Sequence, residues 1–387
     1  VLVGVWKPLP PELEREITRI DFDLPGKAQL ATVLDAITDS AKLPAIGEPE
    51  RELVLEAAGG MTTIEAENAF ALSIVEKGDV EAAVVAREKA NALKSGGLIE
   101  VINAPATLDD IGGLHALKDW LQQRREAFSQ SARDYGLPIP KGMLVLGVPG
   151  TGKSLTAKAT ASVFGIPLLK LDAGKLFGGL VGQSEANLRS VIQTAEAISP
   201  CVLWIDEIEK GFGGMGGSNA STDGGTSARV FGTMLNWLQE KTKPVFVVAT
   251  ANDVSKLPPE LLRKGRWDEL WFVDLPNNQE RTAIWDIVIE KYGREKTAFD
   301  SVVLSRACEL HTGAEIEAAF VEALHRCFTQ DREPTELDLG EVLCESVPLA
   351  TTMSESIEQL RHWAKTRARH ATHADKSANG KRKLDLS

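Results

Sequence analysis

The sequence predicts an α/β protein: a three-layer core with a parallel sheet between helices, followed by a helical domain. From residue 105 to residue 276, short apolar runs alternate with stretches of good helix formers. Runs of four to six apolar residues without polar alternation are typical of strands covered on both faces. The predicted strands are Met143–Val148, Pro167–Asp172, Cys201–Asp206, Val245–Thr250 and Leu270–Asp274.

Residues 277–350 have a different pattern, in which helical periodicity recurs without an intervening strand. This pattern indicates a separate helical lid domain. Its predicted helices are Gln279–Lys291, Val302–Glu309, Ala314–Phe328 and Asp338–Glu345.

Residues 351–387 predict one more helix and then a basic, flexible tail. Thr352-Met-Ser-Glu355 has the pattern of a capping box, and Ile357, Leu360 and Ala364 follow on one helical face. From Arg361 onward the chain holds eight Lys or Arg and two Asp, which is typical of a solvated segment. We therefore interpret His370 and His373 as tail residues rather than metal ligands.

The N-terminal residues repeat parts of the later sequence in the same order. Leu9–Leu13 matches Leu257–Leu261, Phe22–Pro25 matches Val273–Pro276, and Glu65–Phe70 resembles Glu315–Phe320, with nearly constant spacing. Residues 1–92 are therefore predicted to be the C-terminal part of a second module of the same type, with a strand at Val1–Val5 and mainly helices after residue 25. Residues 93–104 are predicted to be a linker.

Composition limits the function classes. The net charge of −12 over 387 residues argues against a surface that coats nucleic acid, so we expect no nucleic-acid partner. The four cysteines form no C-x-x-C pair, as expected of reduced thiols in a cytoplasmic protein. No apolar run approaches the ~18 residues that a membrane span requires, and no signal peptide is recognisable.

The segment Gly147–Ser154 fits the phosphate-binding pattern G-x-x-x-x-G-K-[ST] at every fixed position. It lies between a predicted strand and a predicted helix, a context that disfavours an ordinary Gly-rich turn. Glycines allow several backbone N–H groups to point at one phosphate. Lys153 would reach the β- and γ-phosphates, and the Ser154 hydroxyl would ligate Mg²⁺.

Polar residues follow two other predicted strands. Asp206 and Glu207 end the apolar run that begins at Cys201; Asp206 would hold Mg²⁺, and Glu207 would polarise the attacking water. Asn252 ends the run that begins at Val245, where its amide could hold the water or the γ-phosphate; such a residue is also a common turn former.

Two arginines, Arg263 and Arg266, follow Asn252 in the segment Leu-Leu-Arg-Lys-Gly-Arg-Trp-Asp. Taken alone, loop arginines are usually surface charges. After a phosphate loop, paired carboxylates and a strand-end Asn, they are predicted to stabilise the charge on a transferring phosphoryl group, supplied by a neighbouring subunit. The earlier repeat keeps an arginine at Arg15 but has Thr18 in place of the second, so that module is predicted to be degenerate.

These motifs, with Asp110–Leu114 upstream, resemble the AAA clade of AAA+ ATPases over residues 105–350. Four segments further resemble the AAA proteins encoded in some plastid genomes and in cyanobacteria, which carry a degenerate N-terminal ATPase-like region: Leu176–Gly182, Pro200–Ile208, Pro244–Asn252 and Val347–Ala350. The resemblance implies ATP and Mg²⁺ as cofactors, ATP hydrolysis, and a homo-oligomeric ring, usually a hexamer. It also implies the plastid stroma as the location if the gene is plastid-encoded.

The same resemblance implies which residues contact the nucleotide. Asp110 to Gly112 would cup the adenine, and the lid would approach it from the other side. The implied contact residues are Asp110, Ile111, Gly112, Gly147, Val148, Pro149, Gly150, Thr151, Gly152, Lys153, Ser154, Leu155, Asp206, Gly313 and Ala314, with Ser154 and Asp206 as metal ligands.

The pore-loop position departs from the pattern of protein-threading relatives. Leu180-Val181-Gly182 stands where those proteins carry an aromatic–aliphatic–Gly triplet, which weakens the case for gripping a polypeptide. Two functions stay open: a ring that remodels a protein or protein complex, and a nucleotide-gated regulatory module with slow turnover. Nucleic-acid translocation is disfavoured by the acidic balance.

Overall fold

The computed structural model describes residues 24–92, 98–102, 106–173, 176, 183–212, 224–263 and 265–372. The chain divides into two compact units, residues 1–85 and 86–387. Several predicted features lie outside the described residues: the strand Val1–Val5, the repeat Leu9–Leu13 with Arg15 and Thr18, the triplet Leu180-Val181-Gly182, and His373.

The described residues of the first unit are mainly helical. They form α1 (Lys27–Ser40), α2 (Glu50–Ala58) and α3 (Thr63–Lys77), and α4 (Ala82–Ala92) begins in this unit. A core with Leu34 and Phe70 at its centre holds the helices together. α3 begins at a capping box of Thr62 and Glu65. It ends at Gly78, whose left-handed backbone lets its N–H donate to the carbonyl of Ile74 in the last turn.

The described residues of the second unit form a seven-stranded sheet in the order β1-β3-β4-β5-β2-β6-β7. All of its strand pairs are parallel except β1–β3. The bounds are β1 Ile99–Ile102, β2 Gly142–Gly147, β3 Leu168–Leu171, β4 Cys201–Ile205, β5 Val245–Ala251, β6 Glu269–Val273 and β7 Arg369–His370. The five predicted strands are confirmed as β2 to β6, with bounds that differ by at most one residue.

The first strand corrects the predicted linker. Residues 99–102 of that linker form β1, which pairs antiparallel with β3. Because β1 lies at the sheet edge, its buried Ile99 and Val101 alternate with the exposed Glu100. The continuous apolar run that identifies the inner strands is therefore missing here.

Helices cover both faces of the sheet, as the predicted three-layer core requires. On one face α5 (His115–Gln122) and α7 (Lys153–Phe164) pack against Val145, Phe246 and Trp271. On the other face α8 (Gln183–Ile198) and α9 (Gly224–Glu240) pack against Leu144 and Leu203. A short helix, α6 (Gln130–Asp134), precedes β2.

The predicted lid helices are confirmed. They are α10 (Asn278–Lys291), α11 (Ser301–Ala307), α12 (Gly313–Phe328) and α13 (Glu336–Glu345). They share a separate core that includes the fully buried Trp285 and Phe320. A capping box of Thr312 and Glu315 fixes the start of α12. This end of the helix faces the phosphate loop.

The predicted capping box at Thr352 is wrong. Thr352 ends a short helix, α14 (Leu349–Thr352), and its hydroxyl donates back to the carbonyl of Leu349. The next helix, α15 (Ser354–Arg367), begins after Met353 without a side-chain cap. Its buried residues Ile357, Leu360 and Ala364 are those predicted from the sequence.

The predicted flexible tail is wrong for residues 369–372. Arg369 and His370 form β7, which pairs in parallel with β6. Ala371 is 1% exposed; its N–H donates to the carbonyl of Phe272 (2.9 Å), and its carbonyl accepts from the N–H of Leu117 (3.2 Å). Residues 369–371 are thus held by backbone hydrogen bonds to the edge of β6, and the exposed side chains of β7 show no apolar pattern. The ring of His370 packs edge-on against Phe272.

Within the described ranges, no helix is both long enough and apolar enough to cross a bilayer.

Candidate active site

The predicted phosphate loop connects β2 to α7 at the carboxyl edge of the sheet. Gly150 and Gly152 have φ angles of +79° and +93°, which L side chains rarely adopt. Gly152 caps α7, and the loop is braced by a hydrogen bond from the Thr151 hydroxyl to the carbonyl of Val148 (2.7 Å). Ser154, in the first turn of α7, is exposed. The N–H groups of this helix end are therefore arranged as an anion site requires.

Lys153 is folded onto the loop. Its Nζ donates to the carbonyls of Gly147 (2.9 Å) and Val148 (2.6 Å), and the residue is 7% exposed. Burial lowers the pKa of Lys153 to about 8, while the charges of Glu209, Asp206 and Glu207 act in the opposite direction. A buried cation that has only carbonyl partners is suited to receive an anion.

Asp206 and Glu207 follow β4 directly and are held by Thr250 of the neighbouring strand β5. The Thr250 hydroxyl donates to Asp206 Oδ1 (2.7 Å) and accepts from the N–H of Glu207 (3.0 Å). Glu207 has a φ of +49°, an uncommon conformation that points to a constrained turn. Lys170 Nζ of β3 lies 3.8 Å from Asp206 Oδ2, a contact that sequence reasoning missed.

Glu207 and Asn252, predicted from different strands, are in contact. Asn252 Nδ2 donates to Glu207 Oε1 at 3.1 Å. The other carboxylate oxygen, Oε2, forms an ion pair with the exposed Lys210. The structure therefore joins the predicted base to the predicted amide, and a surface lysine engages the remaining oxygen.

Glu209 is a further residue of this site that sequence reasoning missed. It lies in a 3-10 turn (Ile208–Phe212) directly after the two carboxylates, and it is 5% exposed. Its Oε1 accepts the backbone N–H of Asn252 at 2.9 Å, whereas Oε2 is buried and makes no hydrogen bond with the described part of the chain. Burial raises the pKa of Glu209. The available signal was a third carboxylate two positions after Glu207.

The start of the lid approaches the phosphate loop. The N–H of Ala314 donates to the carbonyl of Gly150 at 3.1 Å, and a Cβ on Gly150 would lie 2.8 Å from the Thr312 hydroxyl. Only glycine therefore fits at position 150. Gly313 and Ala314 thus lie beside the phosphate loop.

The other implied adenine-side segment, Asp110–Gly112, packs on α10 of the lid. A Cβ on Gly112 would lie 2.5 Å from Ile284 Cγ1, and Ile284 is also close to Gly313. The two predicted segments therefore meet around Ile284. Ile111 is buried, and Asp110 uses its carboxylate to accept from the N–H and hydroxyl of Thr107.

Arg263 and Arg266 lie between β5 and β6. Arg263 is exposed, and Arg266 Nη1 donates to the carbonyl of Glu260 in the same loop. Within the described residues, neither arginine shares a hydrogen bond or an ion pair with the phosphate loop or the three carboxylates. The described residues thus show no direct bond between these arginines and the site of their own chain.

An open cavity of about 1650 Å³ lies beside the carboxylates. Glu207, Glu209 and Asn252 line it, together with Trp267 of the arginine loop and Trp363 of α15. The cavity therefore extends from the acidic residues to the loop that carries the two arginines.

Comparison with known proteins identifies the family. Residues 143–275 match the ATPase family associated with various cellular activities (AAA), and residues 28–96 match the second domain of SpoVK-like AAA ATPases. The chain is 43% identical over 368 residues to the AAA domain-containing protein ycf46 of Guillardia theta, an alignment that covers 94% of this chain and 72% of that protein. The chain belongs to the ycf46 group of AAA ATPases.

Other relatives are similar over smaller shares of their length. The ycf46 protein of Pyropia yezoensis is 49% identical over 291 residues, which are 75% of this chain and 58% of that protein. The peroxisomal ATPase pex6 of Schizosaccharomyces pombe is 32% identical over 280 residues, which are 69% of this chain and 28% of pex6. The AAA family assignment implies nucleotide binding by an ATPase domain.

Proposed function

We propose that this AAA ATPase binds ATP with Mg²⁺ at the carboxyl edge of the sheet and hydrolyses it, in a ring that remodels a protein or protein complex. The contact between Asn252 Nδ2 and Glu207 Oε1 carries the proposal. It joins a base and an amide from two strands, beside Asp206 and across from the buried Lys153.

The residues present fit a magnesium nucleotide. Ser154 offers an exposed hydroxyl and Asp206 a carboxylate, and hard oxygen ligands of this kind suit Mg²⁺. The metal would neutralise charge on the β- and γ-phosphates. Lys153 would exchange its two carbonyl partners for phosphate oxygens, and the backbone N–H groups of residues 150 to 154 would surround the same phosphates.

Glu207 acts as the general base in this proposal. Its carboxylate would accept the proton of the attacking water, and Asn252 would orient that water or the γ-phosphate. The ion pair with the exposed Lys210 must open first, and solvent-exposed ion pairs are weak. The ion pair is therefore no obstacle to turnover.

The domain boundaries are part of the proposal. Residues 105–276 would form the large α/β domain, to which β1 and β7 add strands, and residues 277–350 would form the lid. The hydrogen bond between Ala314 and Gly150 supports coupling of lid position to the nucleotide. The match of residues 28–96 to the second domain of SpoVK-like AAA ATPases supports a degenerate module in residues 1–92.

Ring assembly explains the arginines. Among the described residues, Arg263 and Arg266 make no hydrogen bond or ion pair with the phosphate loop or the carboxylates, so they are available to a neighbouring copy. A head-to-tail interface that closes makes a ring. A hexamer, a protein substrate and the plastid stroma or cytoplasm complete the proposal; plastid-encoded ycf46 relatives favour the stroma. A nucleotide-gated module with slow turnover is the second candidate, favoured by Leu180-Val181-Gly182, which has an aliphatic residue where protein-threading relatives carry an aromatic one.

The test compares ATP binding and phosphate release in three proteins. We expect Lys153→Ala to lose ATP binding. Glu207→Gln should bind ATP like the wild type but hydrolyse it about 10²–10⁴-fold more slowly, because the general base is removed. Hydrolysis by Glu207→Gln at the wild-type rate would show that the assigned mechanism is wrong. A wild-type rate that no protein partner stimulates would favour the slow regulatory module.

A further inference from the structure

Asn252 lies directly after the last paired residue of β5. The pairing of β5 with β4 ends at Ala249, and its pairing with β2 ends at Ala251. The direction of the Asn252 side chain therefore depends on what fixes its backbone beyond the last strand pair.

Glu209 supplies that fixation. Its Oε1 accepts the N–H of Asn252 at 2.9 Å, the hydrogen bond that a further strand pair would otherwise provide. Because Glu209 is 5% exposed and follows the fully buried Ile208, its side chain has little freedom to turn away.

Asn252 also contacts the residues that follow β4. Asn252 donates its backbone N–H to Glu209 Oε1 and its side-chain Nδ2 to Glu207 Oε1 at 3.1 Å. Glu207 and Glu209 are two residues apart on one turn, so Asn252 bridges both of them.

We propose that Glu209 is a positioning residue of the hydrolytic site, which orients Asn252 and, through it, the carboxylate of Glu207. This inference rests on the proposed function, since it requires Glu207 to act as the base. What the role demands is an acceptor oxygen at the correct reach, not a negative charge. Glutamine preserves the reach and the acceptor, aspartate is one methylene too short, and alanine removes the group.

The experiment measures kcat by phosphate release and the Kd of ATP by fluorescence for Glu209→Gln, Glu209→Asp, Glu209→Ala, Asn252→Ala and the Glu209→Ala/Asn252→Ala double variant. Glu240→Ala, at the exposed end of α9, is the matched control. We expect Glu209→Ala and Glu209→Asp to lower kcat about 10–100-fold, with the Kd of ATP changed less than about threefold. Glu209→Gln and the control should stay within about threefold of the wild-type kcat.

The double variant separates positioning from general support of the fold. Because Glu209 acts through Asn252, the double variant should have the kcat of Asn252→Ala within about threefold. A kcat lowered by the product of the two single effects would overturn the inference. So would a wild-type kcat in Glu209→Asp, or a loss in Glu209→Gln as large as in Glu209→Ala. If Glu209→Ala does not fold, the Gln and Asp variants decide the question.

Failure of this inference is distinguishable from failure of the proposed function. If Glu207→Gln abolishes hydrolysis while Glu209→Asp is as active as the wild type, only the role of Glu209 is wrong. If Glu207→Gln hydrolyses ATP normally, the proposed function itself is wrong.

Discussion

Lys153 shows how burial prepares one residue for an anion. The side chain is 7% exposed and its pKa is lowered to about 8. The charged form of Lys153 therefore destabilises the folded chain when no nucleotide is bound. This cost to stability is present below about pH 8 and is relieved as the pH rises towards the ordinary value of 10.5, because the unfolded chain then binds more protons. A bound phosphate would favour the charged form again.

ATP binding at pH 8 should therefore be coupled to proton uptake. Lys153 is about half protonated at that pH in the free protein, and a phosphate contact would raise its pKa, so we expect uptake of about half a proton per ATP. Phosphate groups with a pKa of about 6 are already ionised at pH 8 and contribute little. Calorimetric titrations in two buffers with different ionisation enthalpies measure the effect.

Lys241 provides the control for this experiment. Its pKa is also lowered to about 8 by burial, but it contacts the carbonyls of Pro140 and Val245, at the opposite edge of the sheet from the phosphate loop. Lys241→Met should keep the proton uptake. Binding heats that do not depend on the buffer in the wild type would contradict the proposed phosphate contact of Lys153.

At the residue scale, the sequence predicts what lies at the end of a long apolar strand. Asp206, Glu207 and Asn252 each lie at the end of a predicted apolar strand. The carboxyl ends of these parallel strands meet at one edge of the sheet, where hydrogen bonds bring the residues together. Glu209 could not be predicted in the same way. Its burial depends on the turn after β4 and on the N–H of Asn252, 43 residues away.

At the element scale, the sequence predicts helices and strands with several apolar positions in a regular pattern. It does not predict a short strand that is held only by backbone hydrogen bonds. The inner strands and the lid helices have repeated apolar positions, and they were predicted within one or two residues. The strand β7 has two residues, both exposed, and is held by backbone pairing with β6 and by the small buried Ala371. No side-chain pattern records such a contact.

The C-terminal segment also links three parts of the second unit. Ala371 joins β6 to α5 through its backbone, and the Thr372 hydroxyl donates to Glu280 Oε1 at 2.6 Å. Glu280 is 4% exposed. Its Oε1 also accepts the N–H of Leu114, and its Oε2 accepts the N–H of Asn277 at the start of α10. A segment expected to be a free tail is thus part of the fold.

Ala371→Asp should destabilise the second unit by ~2–4 kcal/mol, because it places a charge in a site that is 1% exposed. Urea unfolding followed by tryptophan fluorescence measures this unit, since Trp6 alone among the eight tryptophans precedes residue 86. Thr351→Asp, an exposed residue of α14, is the control and should change the free energy of unfolding by less than ~0.5 kcal/mol. Equal effects of the two variants would contradict the ordered β7.

At the scale of the whole molecule, the central question is whether one chain makes a complete active site. Lys153, Asp206, Glu207 and Asn252 come from one chain, but among the described residues Arg263 and Arg266 make no hydrogen bond or ion pair with them. If a neighbouring copy supplies the arginines, hydrolysis depends on assembly, and the activity per chain should rise with protein concentration.

Mixing two inactive variants tests this directly. Lys153→Ala lacks nucleotide binding but keeps its arginines, whereas Arg266→Ala binds ATP but lacks an arginine for its neighbour. In a 1:1 mixture, about a quarter of the interfaces would combine an intact Lys153 with an intact Arg266, so we expect up to about a quarter of the wild-type phosphate release. Recovery requires that an active site be built from two chains. Two variants that stay inactive at every ratio, although both assemble like the wild type, would show that Arg266 does not act across an interface.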